Sequence, residues 1–205
     1  MAEQQKERSD DELLKELEKV DISFKLPTKE EREYTEMSAK EIVQSNFFGE
    51  KNIMAAKVKV RICLNLKIDP FLFYKHVQIT PYGSKNDLTL SAYLMSFLIL
   101  RTFPNAIKSQ GWIGEGDNLE FRMAVQRPGR KTVPFSFGIK DAIKAHLILV
   151  KPDGTRSAKN MNWFKYDLDM TRSRCISRMA RTEFPDVLGG IIYTPEDFDE
   201  VFKDD

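Results

Sequence analysis

The sequence predicts an α+β fold, in which a small antiparallel β-hairpin packs with helices, and three stretches carry that expectation. Leu119, Phe121, Met123 and Val125 alternate with Glu120, Arg122, Ala124 and Gln126, and after a turn at Arg127-Pro128-Gly129-Arg130 the alternation resumes with Val133, Phe135 and Phe137. A period of two reads as two strands sharing one apolar face. Leu90 to Phe103 is apolar on most sides, as Leu94, Phe97, Leu98 and Leu100 show, and a helix of that kind belongs in a core. Asp167 to Glu183 reads as a further helix, stopping before Pro185. Helices gathered around a small antiparallel sheet define the class.

The remaining elements follow in chain order. Ser9-Asp10-Asp11-Glu12, ahead of Leu13, Leu14 and Leu17, reads as a short helix with a cap and acids in its first turn. A linker spans about Asp21 to Pro27. Thr28-Lys29-Glu30-Glu31 then has the form of a capping box, opening a helix that runs to about Asn46. Residues 52–66 support two readings. Val58, Val60, Ile62, Leu64 and Leu66 alternate as in a strand, while Met54, Ala55, Val58 and Ile62 share a helix face. Asp69-Pro70 ends that element, His76 to Thr80 reads as a strand, and Pro81-Tyr82-Gly83-Ser84 as a turn. Pro104 closes the apolar helix, and Pro134 puts the second hairpin strand at a sheet edge or a bulge. A short helix from about Ile139 to Leu147 and a loop around Pro152-Asp153-Gly154 complete the pass.

A chain of 205 residues with 41% hydrophobic content is long enough for one globular core with a flexible end. Two cysteines, Cys63 and Cys175, are too few for a disulfide framework, and they predict a reducing, cytoplasmic setting. No apolar run approaches the length of a membrane span, and the polar, acidic residues 1–11 do not resemble a signal peptide. The net charge of +1 conceals a segregation that divides the chain into three parts. Residues 1–50 form an acidic helical extension with 14 acids and 8 bases, and residues 194–205 an acidic tail with 6 acids and 1 base. Between them, 51–193 holds 23 bases and 11 acids, a net of +12. A basic core attracts polyanions, and acidic arms screen it or bind partners.

Enzymatic chemistry finds little support. No Gly-x-x-x-x-Gly-Lys-Ser/Thr loop is present to cradle a triphosphate, and Gly114-Glu115-Gly116-Asp117 reads only as a turn. His76 and His146 are not spaced as metal ligands, and Asp167 and Asp169 diverge on a helix. No catalytic residue and no cofactor is expected.

The bases are more informative. On the last helix Arg174, Arg178 and Arg181 fall within an arc of about 60°. Such a stripe either faces an anion such as a phosphate backbone, or is a solvated face balanced by acids elsewhere. Arg172 projects towards the apolar side. The hairpin carries Arg122, Arg127, Arg130 and Lys131, which lay charge along a strand of nucleic acid or simply serve the turn. Trp112 and Trp163, each set among polar neighbours in sequence, are the better candidates for stacking on bases, ahead of Phe71, Phe73, Tyr74 and Tyr82.

A family resemblance joins these pieces. Phe135-Ser136-Phe137, Asp141-Ala142-x-x-Ala145, Trp163-x-Lys165-Tyr166, Met170, Arg172-x-Arg174-x-Ile176-Ser177 and Arg181 are followed by Phe184-Pro185-Asp186-Val187-Leu188-Gly189-Gly190 and Tyr193-Thr194-Pro195-Glu196. Together with Ile68-Asp69-Pro70, Leu88-x-Leu90-Ser91-Ala92-x-Leu94-Met95 and Arg101 upstream, they resemble the signature of RecT-type phage single-strand annealing proteins over about residues 52–197. The resemblance implies a fold related to the strand-annealing ring proteins and a helix over 52–66. It also implies ATP-independent binding of single-stranded DNA and annealing of complementary strands in homologous recombination and repair. The implied partners are other copies, in a ring or helical filament, and a phage exonuclease or host single-strand-binding protein. Arg101, Lys165, Arg172, Arg174 and Arg181 match family positions. The sequence departs from the pattern at Ile148 to Asn160, a longer insertion than the family's short link, and it carries little beyond Glu196, where many relatives have a partner-binding region. Two alternatives stand beside annealing: a passive single-strand-binding protein that only protects DNA, and a self-assembling structural or adaptor protein.

Overall fold

The structure, a computed structural model, describes residues 27–82, 85–158 and 160–191. The expected helix at Ser9 to Leu17, the turn at Gly83-Ser84, the Tyr193 to Glu196 motif and the acidic segment 194–205 lie outside the described residues.

Helix α1, Lys29–Ser45, begins on the expected capping box. The Thr28 hydroxyl accepts the Glu31 amide hydrogen at 3.1 Å, and the Glu31 carboxylate accepts that of Thr28 at 2.8 Å. Residues 52–66 are helical. Asn52 caps α2, Ile53–Asn65, by accepting from Met54 and Ala55 at 2.9 and 3.2 Å. Burial of Ala56, Val60 and Cys63 follows the helical spacing of four and three, while Val58 of the alternating set is exposed. Ala39 and Ile42 of α1 pack on Ala56, Val60 and Tyr74 in a small core of their own.

Asp69 caps the one-turn helix α3, Pro70–Phe73, with the proline at its first turn as its fixed φ favours. A 3-10 turn at Tyr74–His76 leads into β1, Val77–Tyr82, which pairs antiparallel with β2, Lys85–Leu90. Strand β2 was not expected. Lys85, Asn86 and Asp87 are poor strand formers, and pairing with β1 overrides their preference. The apolar helix is α4, Ala92–Thr102, capped by the Ser91 hydroxyl accepting from Leu94 at 3.2 Å.

The main sheet is β3 (Ile107–Ile113), β4 (Glu120–Val125) and β5 (Val133–Gly138), antiparallel in the order β3-β4-β5. The hairpin β4–β5 is the expected one, with β5 an edge strand that accommodates Pro134 opposite Ala124. The other edge, β3, was missed because Lys108 to Gly111 shows no alternation of apolar residues. Gly138 ends β5 beside β4, where an added Cβ would lie 2.8 Å from the Leu119 carbonyl oxygen, so only glycine fits.

Helix α5, Ile139–Lys144, is followed by a short hairpin of β6 (Leu149–Val150) and β7 (Arg156–Ser157), which occupies the insertion at 148–160. Helix α6 is Asn162–Lys165, and α7 is Asp167–Glu183, with the bounds read from the sequence. The principal core lies between the sheet, α4 and α7, where Leu94, Leu98, Phe121, Met123, Ile176 and Met179 meet. A second cluster, around Leu119, Ile139, Leu147, Trp163 and Met170, closes the end where α5, α6 and the start of α7 converge. The described structure is thus α+β, with small antiparallel sheets. Among the described residues no helix is long and apolar enough to cross a membrane.

Candidate nucleic-acid interface

Two hydrogen-bonded ties fix α7 along β4. Trp112, paired in register with Phe121 at the start of β4, donates its indole N–H to the Leu168 carbonyl at 3.2 Å. Just past the end of β4, Arg127 donates to the Glu183 carbonyl at 2.8 Å. The helix and the strand therefore run in the same direction, and the middle of α7 passes through the core. Arg174, Cys175, Ile176 and Ser177 are all buried, and four consecutive residues cover every side of a helix.

That course corrects the arginine stripe. Arg174 is only 5% exposed and lies within the core, so it does not face a phosphate backbone. Arg178 is exposed and Arg181 half-buried. Arg172, which the wheel turns to the apolar side, is exposed. The exposed side of α7 moves from Asp169 and Arg172 in its first half to Arg178 and Thr182 in its second. A single helical wheel assumes one buried face throughout, and this helix has none.

Other expected positions also have structural work to do. Trp163 is 3% exposed and its ring lies 6.2 Å from that of Phe137, so it is a core residue and not a stacking platform. Arg127 forms a two-pronged pair with Asp186, at 2.8 and 2.9 Å, above the rings of Phe103 and Phe184. The paired guanidinium holds the Asp186 carboxyl below its usual range. Arg101 donates to the carbonyls of Leu66 and Lys67 at 2.8 and 2.9 Å, capping the end of α2. Both side chains are held by protein groups rather than presented as free cations.

Arg122 is exposed on the uncovered face of the sheet, paired with Glu120 at 2.9 and 3.1 Å. This pair, with a hydrogen bond from Ser136, keeps the Glu120 carboxyl below its usual range. Around it Ser109, Gly111, Ala124, Pro134 and Ser136 leave a shallow recess of about 570 Å³, because the side chains are too small to fill it. Trp112, 42% exposed at the edge of the sheet, is on the opposite, helix-side face with Phe121, their rings 5.0 Å apart. Of the two tryptophans, Trp112 is the one with a face available for stacking.

The free cations gather at the other end of the sheet. Arg130 and Lys131 are exposed in the β4–β5 turn, where Gln126 donates to the Arg130 carbonyl at 2.8 Å. Beside the turn lies a recess of about 330 Å³, with Phe103, Pro104 and Pro128 on its apolar side and Lys108 and Arg127 on its basic side. Lys108 was missed because its strand was missed. Lys165, Arg172 and Arg178 are exposed elsewhere on the surface. Among the described residues, Lys108, Arg130, Lys131, Lys165, Arg172 and Arg178 form no ion pair. Unneutralised cations beside apolar walls suit a polyanion that also carries flat, apolar groups.

No protein-family model matches this chain, and a search of curated proteins finds no match.

Proposed function

We propose that this protein binds single-stranded DNA and anneals complementary strands without a nucleotide cofactor. The observation that carries the reading is the cluster of Lys108, Arg130 and Lys131, exposed and unneutralised among the described residues, beside a recess with apolar walls. Phosphates would meet the cations there while bases lie against the apolar side. Sequence would be read by base pairing between the strands and not by the protein.

Assembly of several copies belongs to the same reading. Phe47, Leu72 and Tyr93 are 75%, 76% and 64% exposed. They lie around the Lys75-His76 corner: Lys75 is 5.9 Å from the Phe47 ring and His76 stacks on Tyr93 at 4.9 Å. Side chains of that size left in water favour burial between copies. This group also supports the self-assembling adaptor as the second reading.

The deciding experiment mixes two complementary labelled oligonucleotides with and without the protein and with no nucleotide present. Acceleration, with a non-complementary control that stays apart, is the expected result. Binding without acceleration identifies a passive binder, and assembly without DNA affinity identifies the adaptor.

A further inference from the structure

The recess beside the β4–β5 turn has a candidate occupant within the same chain. Its unpaired cation is Lys108, with Arg127 beside it already paired with Asp186, its apolar side is Phe103, Pro104 and Pro128, and Arg130 and Lys131 follow Gly129 of its wall in the turn. A ligand that fits carries several negative charges with apolar groups among them. Residues 196–202, Glu-Asp-Phe-Asp-Glu-Val-Phe, have that composition, and the segment 194–205 has 6 acids to 1 base.

The path of the chain puts this segment within reach. Asp186 is hydrogen-bonded to Arg127 on the recess wall. From there Val187, Leu188 and Ile191 continue along the principal core, and Gly189 lies against Leu66. An extended chain advances about 3.5 Å per residue, so the five to nine residues that separate Glu196 to Glu200 from Ile191 can span up to roughly 15–30 Å. The other acidic segment, 1–26, fits less well. It holds 8 acids and 5 bases, and it joins the fold at α1, which packs on α2 and not on the sheet.

We propose that the acidic, phenylalanine-containing segment 194–205 folds back into this recess and competes with nucleic acid for Lys108, Arg130 and Lys131. Carboxylates would stand in for phosphates, and Phe198 or Phe202 for a base against Phe103 and Pro128. The contact would be intramolecular and screened by salt, since it is largely electrostatic. The competition rests on the DNA-binding reading, whereas the docking does not.

The test compares the 205-residue chain with a variant of the same chain carrying Glu196→Gln, Asp197→Asn, Asp199→Asn and Glu200→Gln. Without DNA, amide NMR shifts are expected to differ between the two at Asn105 to Lys108 and at Gln126, Gly129 and Arg130. With fluorescent oligothymidylate at low salt, the variant is expected to bind about tenfold more tightly, within the usual span of coupling between sites. The difference should shrink as salt is raised. Unchanged recess amides overturn the docking whatever the DNA result, and altered amides with equal DNA affinity overturn the competition. Altered amides in a protein that binds no DNA in either form support the docking and refute the proposed function. Shift differences that vanish on dilution would put the segment in the recess of a second copy and overturn the intramolecular contact.

Discussion

Arg127 and Asp186 are 59 positions apart in the chain and joined by two hydrogen bonds of 2.8 and 2.9 Å, tying the hairpin turn to the end of α7. The same guanidinium donates to the Glu183 carbonyl and covers two phenylalanine rings. Arg127→Ala therefore acts mainly on stability. We expect a loss of about 2 kcal/mol, in the range for hydrogen bonds to charged groups, measured by urea unfolding. Lysine should restore little, because it cannot make the planar two-pronged contact. A normal unfolding midpoint in Arg127→Ala would show that the tie is not structural.

The pair also sets a pH dependence. The Asp186 carboxyl sits below its usual range because of Arg127, so its contribution is complete above the ordinary aspartate range, near about 3.9. It is lost as pH falls through the depressed folded value. Unfolding of the wild type and Asp186→Asn should differ at pH 7 and converge on acidification. A gap that persists at the acid end would assign the effect to something other than this carboxylate.

Arg130→Ala with Lys131→Ala should leave the unfolding midpoint unchanged, since neither side chain has a structural ion pair among the described residues. DNA affinity should fall for all sequences alike. The slope of log affinity against log salt should become shallower by about 0.7 for each phosphate contact removed. An unaltered slope would move the nucleic-acid surface away from the turn.

The two tryptophans separate by exposure. Acrylamide should quench Trp112 and spare Trp163, as single-tryptophan variants would report. Trp163→Ala should cost about 3–5 kcal/mol, as large-to-small core substitutions do, whereas Trp112→Phe, which loses the hydrogen bond to the Leu168 carbonyl, should cost about 1 kcal/mol. Equal quenching of both would contradict the burial of Trp163.

Burial pushes the thiols of Cys63 and Cys175 up to about 12. Reactivity belongs to the thiolate, so both should resist a thiol reagent at pH 8 until the protein unfolds. Rapid labelling of either in the native state would show that its surroundings open readily.

The sequence made the helices legible where a capping group and a spacing coincided, as at Thr28 and Glu31 for α1. The hairpin was legible because Phe121, Met123 and Val125 share a buried face with a strict period. Strand β3 was not, since an edge strand is defined by its backbone ladder to β4 and Lys108 to Gly111 needs no apolar pattern for that. At the candidate interface, the exposure of Arg130 and Lys131 followed from their place in a turn. The burial of Trp163 did not, because its polar neighbours in sequence say nothing of Phe137 and the core cluster around it. Arg174 misled for a related reason: the wheel shows how residues are arranged around α7 but not what surrounds each turn.

The enclosed turn of α7 also bears on how the protein opens. The amides of Arg174 to Ser177 have no side turned to water, so their hydrogens should exchange only when the core comes apart. The exposed cations of the hairpin turn lie outside that enclosure. Their identity can drift through many substitutions while the slowest-exchanging part of the chain, and with it the lifetime of the folded state, stays as it is.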